Sequence, residues 1–288
     1  MIDLSPVSLL APALILLSAL LHACVNTLIK VSGDGLITRG CMNAIACLIA
    51  APLLFFVPLP SPELWLLLAV SMLVHALYPF FLIEAYRNGD LSTAFPLARG
   101  SVPLLVALFA AVALEQRPGT ASLTGIVLVS AAVASFAFSR GLRSRTAHGR
   151  GVAFALLTGL IVAGYTVIDV IGLRAAPTTF AYIVWLFVLD GAFVTLLVLI
   201  ARRGAVMPFI SSQWRTMLVA GALGTLSYGL ALFAFSLGAV AEIAALRETS
   251  ILFAALIGTL ILKEPFGRAR TVAAIIAVIG IIVMQAGR

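Results

Sequence analysis

The chain has 288 residues, 62% of them apolar and only 10% charged, with a formal net charge of +7. Apolar runs of about twenty residues recur along it, which excludes a large soluble domain and describes an integral membrane protein. The basic excess is therefore a statement about membrane topology, and nucleic acid is not expected as a partner.

Ten spans are expected, at 8–30, 36–57, 63–86, 90–114, 119–139, 151–172, 178–201, 213–237, 240–262 and 268–286, giving an all-α fold. With both termini on one face, thirteen Lys and Arg fall on the opposite face, against Arg117, Arg174 and Arg288 on the terminal one. That bias puts the termini outside and the central linker in the cytoplasm. Cys24, Cys41 and Cys47 lie in or beside spans without CxxC spacing, so they read as packing residues. No metal site and no cofactor is expected. The first apolar stretch lacks a basic lead-in and is too long for a signal core, so it reads as a first span.

Span 1 carries His22, Asn26 and Lys30 at successive i+4 positions on one face. Lys30 can snorkel to the cytoplasmic end, whereas His22 and Asn26 are either hydrogen-bonded packing groups or pocket lining. The turn PLPSP at 58–62 closes span 2. Span 3 lines up His75, Tyr78, Leu82 and Tyr86, with Glu84 turned away toward Arg87. A mid-span His beside a Tyr reads equally as packing and as pocket lining.

Span 4 follows an RNGD turn and holds Pro96 and Pro103, each of which should bend it. Between them, Arg99 lies roughly 13 Å into a core of about 30 Å, so it must face the bundle interior or water. Span 6 carries Tyr165 and ends near Asp169, expected at the far interface. Span 7 has Trp185 and a mid-span Asp190, which is either a protonated packing residue or the partner of a deep arginine. Span 8 carries Tyr228, and span 9 carries Arg247 and Glu248, with Glu242 in its first turn.

Two stretches match, GDLSTAFPLARGSVPLLVALFAAVALEQ from Gly89 and GAVAEIAALRETSILFAALIGTLILKEP from Gly238. A shift of 149 places Leu97 on Leu246, Ser101 on Ser250, Glu115 on Glu264 and Arg99 on Glu248. TLIKVSG at 27–33 aligns with TVIDVIG at 166–172 on a shift of 139, so the second half has about ten extra residues, expected in the Arg202–Arg215 loop. The implied units are a first five-helix repeat at 1–139, a basic linker at 140–150 and a second repeat at 151–288. An odd number of spans per unit turns the second copy upside down, an inverted repeat with charges of spans 4 and 9 meeting near the axis.

These blocks and the ten-span duplicated plan make the chain resemble the drug/metabolite transporter superfamily, in particular its EamA-type permeases, with Glu115 and Glu264 matching the Glu that follows the fourth helix of each unit. The resemblance implies a secondary transporter, not an enzyme, that exports amino acids or related metabolites across the bacterial inner membrane by alternating access. Its partners would be a small-molecule substrate and the lipid bilayer, with the chain acting as a monomer. The expected cavity is lined by spans 1, 3, 4, 6, 8 and 9. In it Arg99 or Arg247 would take a carboxylate and Glu248 an ammonium, with His75, Tyr78, Tyr165, Trp185 and Tyr228 shaping the pocket and His22 and Asn26 on its wall. The opposing reading has Arg99, Arg247, Glu248 and Asp190 neutralise one another as an ion-pair core. Exporters of other metabolites or drugs, a membrane-embedded enzyme acting on lipid-linked substrates and an accessory subunit are the remaining alternatives.

Overall fold

A computed structural model describes residues 6–89, 91–141, 149–260 and 267–286 of the chain. Asp90 of the RNGD turn, the run through Arg143, Arg145 and His148, Lys263, Glu264 and the terminal Arg288 lie outside the described residues.

Helix boundaries follow local chemistry in the sequence. Helix α1 (Pro6–Ser32) ends at Gly33, which takes a φ of +92° that a side chain would resist. Asp34 then caps α2 (Gly35–Ala50) by accepting from the backbone N–H groups of Leu36 and Ile37, both at 3.0 Å. Pro52 cannot donate within the ladder, and the chain tightens into a 3-10 helix over Ala51–Phe56. After the PLPSP turn, Ser61 caps α3 (Pro62–Arg87), whose first residue is the proline that N-termini favour.

Helices α4 (Leu91–Ala113) and α5 (Thr120–Gly141) complete the first half of the chain. The second half supplies α6 (Gly149–Ala175), α7 (Thr179–Ala201), α8 (Val206–Leu237), α9 (Val240–Arg247), α10 (Ser250–Leu260) and α11 (Gly267–Ala286). Where the sequence places its extra residues, α8 starts with a short segment that kinks at Gln213, whose side-chain amide donates to the Ser32 carbonyl at 2.8 Å.

Among the described residues, eight stretches are long and apolar enough to cross a membrane, α9 and α10 together counting as one. Two shorter apolar helices, Thr120–Ser135 and Thr271–Ala286, accompany them. Phe55, Phe56, Leu66, Val112 and Leu260 point outward and exposed, as lipid-facing side chains should.

The break in the helix ladder does not fall at the prolines. Helix α4 runs unbroken through Pro96 and Pro103, whereas the proline-free stretch Val240–Leu260 breaks between Arg247 and Ser250. There the ladder tightens to three-residue spacing, with Thr249 N–H on Leu246 O, Ile251 N–H on Glu248 O and Leu252 N–H on Thr249 O. A break at this depth is tolerated because Glu248, Thr249 and Ser250 are buried in protein, away from lipid.

The packing interleaves the two halves of the chain. Helix α1 lies against α8 and α3 against α6; α4 packs on α6 as α9 and α10 pack on α1; α2 meets α7 and α5 meets α11. Small residues permit the closest approaches. A Cβ added at Gly125 of α5 would lie 2.5 Å from the Gly280 carbonyl of α11.

Candidate functional site

A cavity of about 190 Å³ opens among α1, α2, α3, α4, α6, α7, α8 and α9. Its lining includes His22, Asn26, His75, Tyr78, Arg99, Tyr165, Tyr228 and Arg247 from the expected set, brought together from both halves. Ile29 and Arg39 extend it toward the end of the bundle that carries the α1–α2 turn.

Two expected residues lie elsewhere. Trp185 is not part of the lining: its indole donates to the Pro58 carbonyl at 3.0 Å, and its ring meets Trp65 edge-on at 5.1 Å. On a helix turning 100° per residue, Trp185 points away from the face on which Phe187, Asp190 and Gly191 line the cavity. Glu248 is also absent from the lining, sitting 1% exposed behind it in an ion pair, with Oε2 2.9 Å from Arg99 Nε. Arg99 and Glu248 therefore meet each other, as the ion-pair reading expects, although Arg99 also borders the cavity.

The second deep cation is placed differently. Arg247 has its guanidinium 5.1 Å from the centroid of the Tyr228 ring, and its Nε is buried without a hydrogen-bond partner. Asp190, also on the cavity wall, has a buried Oδ1 without a partner. Arg99 Nε and Nη2 and Glu248 Oε2 are likewise buried without a hydrogen-bond partner, their 2.9 Å ion-pair contact falling outside hydrogen-bond geometry, so the cavity wall presents two cations and one carboxylate with unsatisfied polar atoms. Buried orphans of this kind are costly unless something fills them.

Two groups on this wall escape the sequence reading. Arg39, which the sequence assigns to the charge bias of the cytoplasmic face, turns inward with its guanidinium 5.1 Å from the Tyr78 ring centroid. Asn43, one helical turn farther along α2, joins the same wall.

Asp169 is a correction. It does not sit at the membrane interface: α6 continues to Ala175, and Asp169 is 1% exposed inside the bundle. Three hydroxyls donate to it, from Ser71 at 2.5 Å, Tyr182 at 2.9 Å and Tyr228 at 2.6 Å. His75 completes the cluster, with Nε2 3.0 Å from the Tyr228 hydroxyl and Nδ1 2.9 Å from the Ser71 carbonyl. The imidazole also stacks on Tyr165 at 4.0 Å. The sequence signal was there, an acid inside an apolar run, but its partners come from α3, α7 and α8.

Among the described residues, no group of His, Cys, Asp and Glu could hold a metal ion. No curated protein matches the chain. The chain is similar to a solved structure described only as a crystal structure of a protein, with 20% identity over 95% of each chain and a TM-score of 0.77, a likeness that shows the fold alone. Residues 149–285 match the model of the EamA-like transporter family, so the chain carries an EamA-like transporter domain, consistent with an EamA-type permease of the drug/metabolite transporter superfamily.

Proposed function

We propose that the protein is a secondary transporter that exports amino acids or related small metabolites across the bacterial inner membrane by alternating access. The observation that carries this reading is the cavity wall, where Arg247, with its Nε free of hydrogen bonds, and Asp190, with its Oδ1 likewise free, offer a cation for a carboxylate and an acceptor for an ammonium. Asp190 replaces Glu248 in the second role, because Glu248 is held by Arg99 behind the wall.

The ten-span plan and the inverted repeats at 1–139 and 151–288 belong to the same proposal. Exchanging α1 with α6, α2 with α7, α3 with α8 and α4 with the α9–α10 pair turns the packing of α1 on α8 into that of α6 on α3, and α4 on α6 into α9 and α10 on α1. This exchange supports a pseudo-two-fold axis. The units that would rock are accordingly mixed: one bundle is α1, α8, α9 and α10, and the other is α3, α4 and α6, with α2 and α7 packed on each other and the cavity enclosed among them. With the α1–α2 turn on the cytoplasmic side, as the charge bias has it, the cavity opens inward.

The test is uptake by purified protein in liposomes, using a panel of radiolabelled acidic, basic, aliphatic and aromatic amino acids. Saturable uptake of at least one is expected, with its KM raised about 10- to 100-fold in both Arg247→Gln and Asp190→Asn. Absence of all amino-acid flux would overturn the substrate assignment and turn the search to other metabolites.

A further inference from the structure

The cluster around Asp169 holds more hydrogen bonds than its ordinary protons can supply. Five contacts need a hydrogen each: Ser71, Tyr182 and Tyr228 to Asp169, His75 Nε2 to Tyr228, and His75 Nδ1 to the Ser71 carbonyl. An ionised carboxylate and a neutral imidazole leave only four hydrogens, one on each of the three hydroxyls and one on the ring. The Ser71 hydroxyl, 3.1 Å from Nδ1, cannot make up the deficit, because its single hydrogen already goes to Asp169. One extra proton completes the set.

That proton has two equivalent homes. On Nε2 it makes His75 an imidazolium that donates to Tyr228, while Tyr228 donates to an ionised Asp169, with Nε2 and Oδ2 3.8 Å apart. In the other arrangement Tyr228 Oη gives its own hydrogen to Nε2, and the Nε2 bond is kept. Oδ2 then carries the extra proton and donates to Oη. Interconversion moves one hydrogen from Oδ2 to Oη and one from Oη to Nε2, so no proton is gained or lost and both ends change charge together.

Position gives this proton a consequence. Ser71 and His75 on α3 and Asp169 on α6 belong to one bundle, Tyr182 comes from α7, which packs on α2, and Tyr228 alone reaches in from α8 of the other bundle. On the cavity side of Tyr228 its ring carries the Arg247 guanidinium. Other groups facing the cluster are Tyr165 of α6, Asp190 of α7, whose carboxyl feels the charges of both His75 and Asp169, and Arg99 of α4 beyond Tyr165.

We propose that Asp169, Tyr228 and His75 form a proton-binding site on the seam between the two bundles, and that its single exchangeable proton couples transport to a proton gradient. Losing the proton leaves the Nε2 and Tyr228 Oη lone pairs facing each other, so that of the two hydrogen bonds Tyr228 of α8 makes in this cluster only the one to Asp169 remains. Rocking then exposes the empty site on the other side. The coupling rests on the transporter reading above, whereas the proton site itself does not depend on which substrate is carried.

Two measurements on the full-length protein test it. In infrared difference spectra recorded between alkaline and acidic pH without substrate, one carboxyl or imidazole protonation is expected that disappears in Asp169→Asn and His75→Gln and shifts in Tyr228→Phe. Tyr228→Phe keeps the ring under Arg247, so it reads the relay hydroxyl with little change in packing. Spectra identical in wild type and all three folded variants would overturn the site. In liposomes, wild-type flux is expected to rise severalfold when a pH gradient is imposed, with a gradient-to-no-gradient ratio near one in Asp169→Asn. A wild-type ratio of one overturns the coupling even where the infrared signal is present. If no amino acid moves at all, the infrared arm still decides the proton site.

Discussion

Among single residues, the deep charges of this protein divide into an ion pair and groups that stand outside it. Arg99 and Glu248, with side chains 7% and 2% exposed, form the paired set. Removing one partner strands the other inside the bundle, which typically costs about 3–5 kcal/mol. Arg99→Gln and Glu248→Gln are therefore each expected to lower the melting temperature clearly, and Arg99→Met combined with Glu248→Leu to recover most of it, as read by thermal unfolding in detergent. Arg247 behaves otherwise, because its guanidinium rests on the Tyr228 ring at the cavity wall. For Arg247→Gln the expected change is a small shift in melting and a rise in the KM of transport of about 10- to 100-fold, from the ~1.5–3 kcal/mol of a charged hydrogen bond. A large melting shift at Arg247 with unchanged KM would assign it to the framework.

These residues also mark where the sequence was readable. Arg99, Arg247 and Glu248 stand out because a charge deep in an apolar run must face inward. Hydropathy alone places Asp169 too near the end of its span, because the helix runs on to Ala175. Arg39 hid among the cytoplasmic charges, and Trp185 was assigned to the cavity by residue type although its helical phase turns it toward Trp65.

At the scale of elements, caps and small residues set the geometry. Asp34, Ser61 and Thr178 start their helices by accepting backbone N–H groups, all local and legible signals. Across the halves, the Gln116 side chain accepts from Val240 N–H at the start of α9, and Ser122 of α5 donates to Glu242 at 2.6 Å. The contact of α5 with α11 depends on Gly125 and Gly280, whose backbones nearly touch. Gly125→Leu would force the helices apart and is expected to destabilise the protein by about 1–3 kcal/mol, checked by thermal unfolding, while leaving the cavity residues in place. A melting temperature equal to wild type would show that this seam is loose.

At the scale of the whole molecule, the two halves of the chain do not form two bodies. Each proposed rocking bundle draws helices from both, and Arg99 on α4 with Glu248 after α9 ties one to the other. The inward-open assignment predicts one-sided access. In a background with Cys24, Cys41 and Cys47 replaced by alanine, Asn43→Cys on the cavity wall should react with a membrane-impermeant maleimide in inside-out vesicles and only slowly in right-side-out vesicles. The reverse order would invert the topology.

Hydropathy along the chain suffices to show a helical membrane protein, to bound most of its helices and to turn several deep charges inward. Those conclusions rest on hydrophobicity and the cost of burying charge, both of which act over one helix. Only the tertiary structure decided that Glu248 is held by Arg99, that Asp190 faces the cavity, and that Asp169, Tyr228 and His75 share a hydrogen-bond chain. The reason is physical: a side chain's partner across a helix interface depends on rotation and crossing of two helices far apart in sequence. In Asp169 and Tyr228, separated by 59 positions, neither residue alone carries any trace of the other.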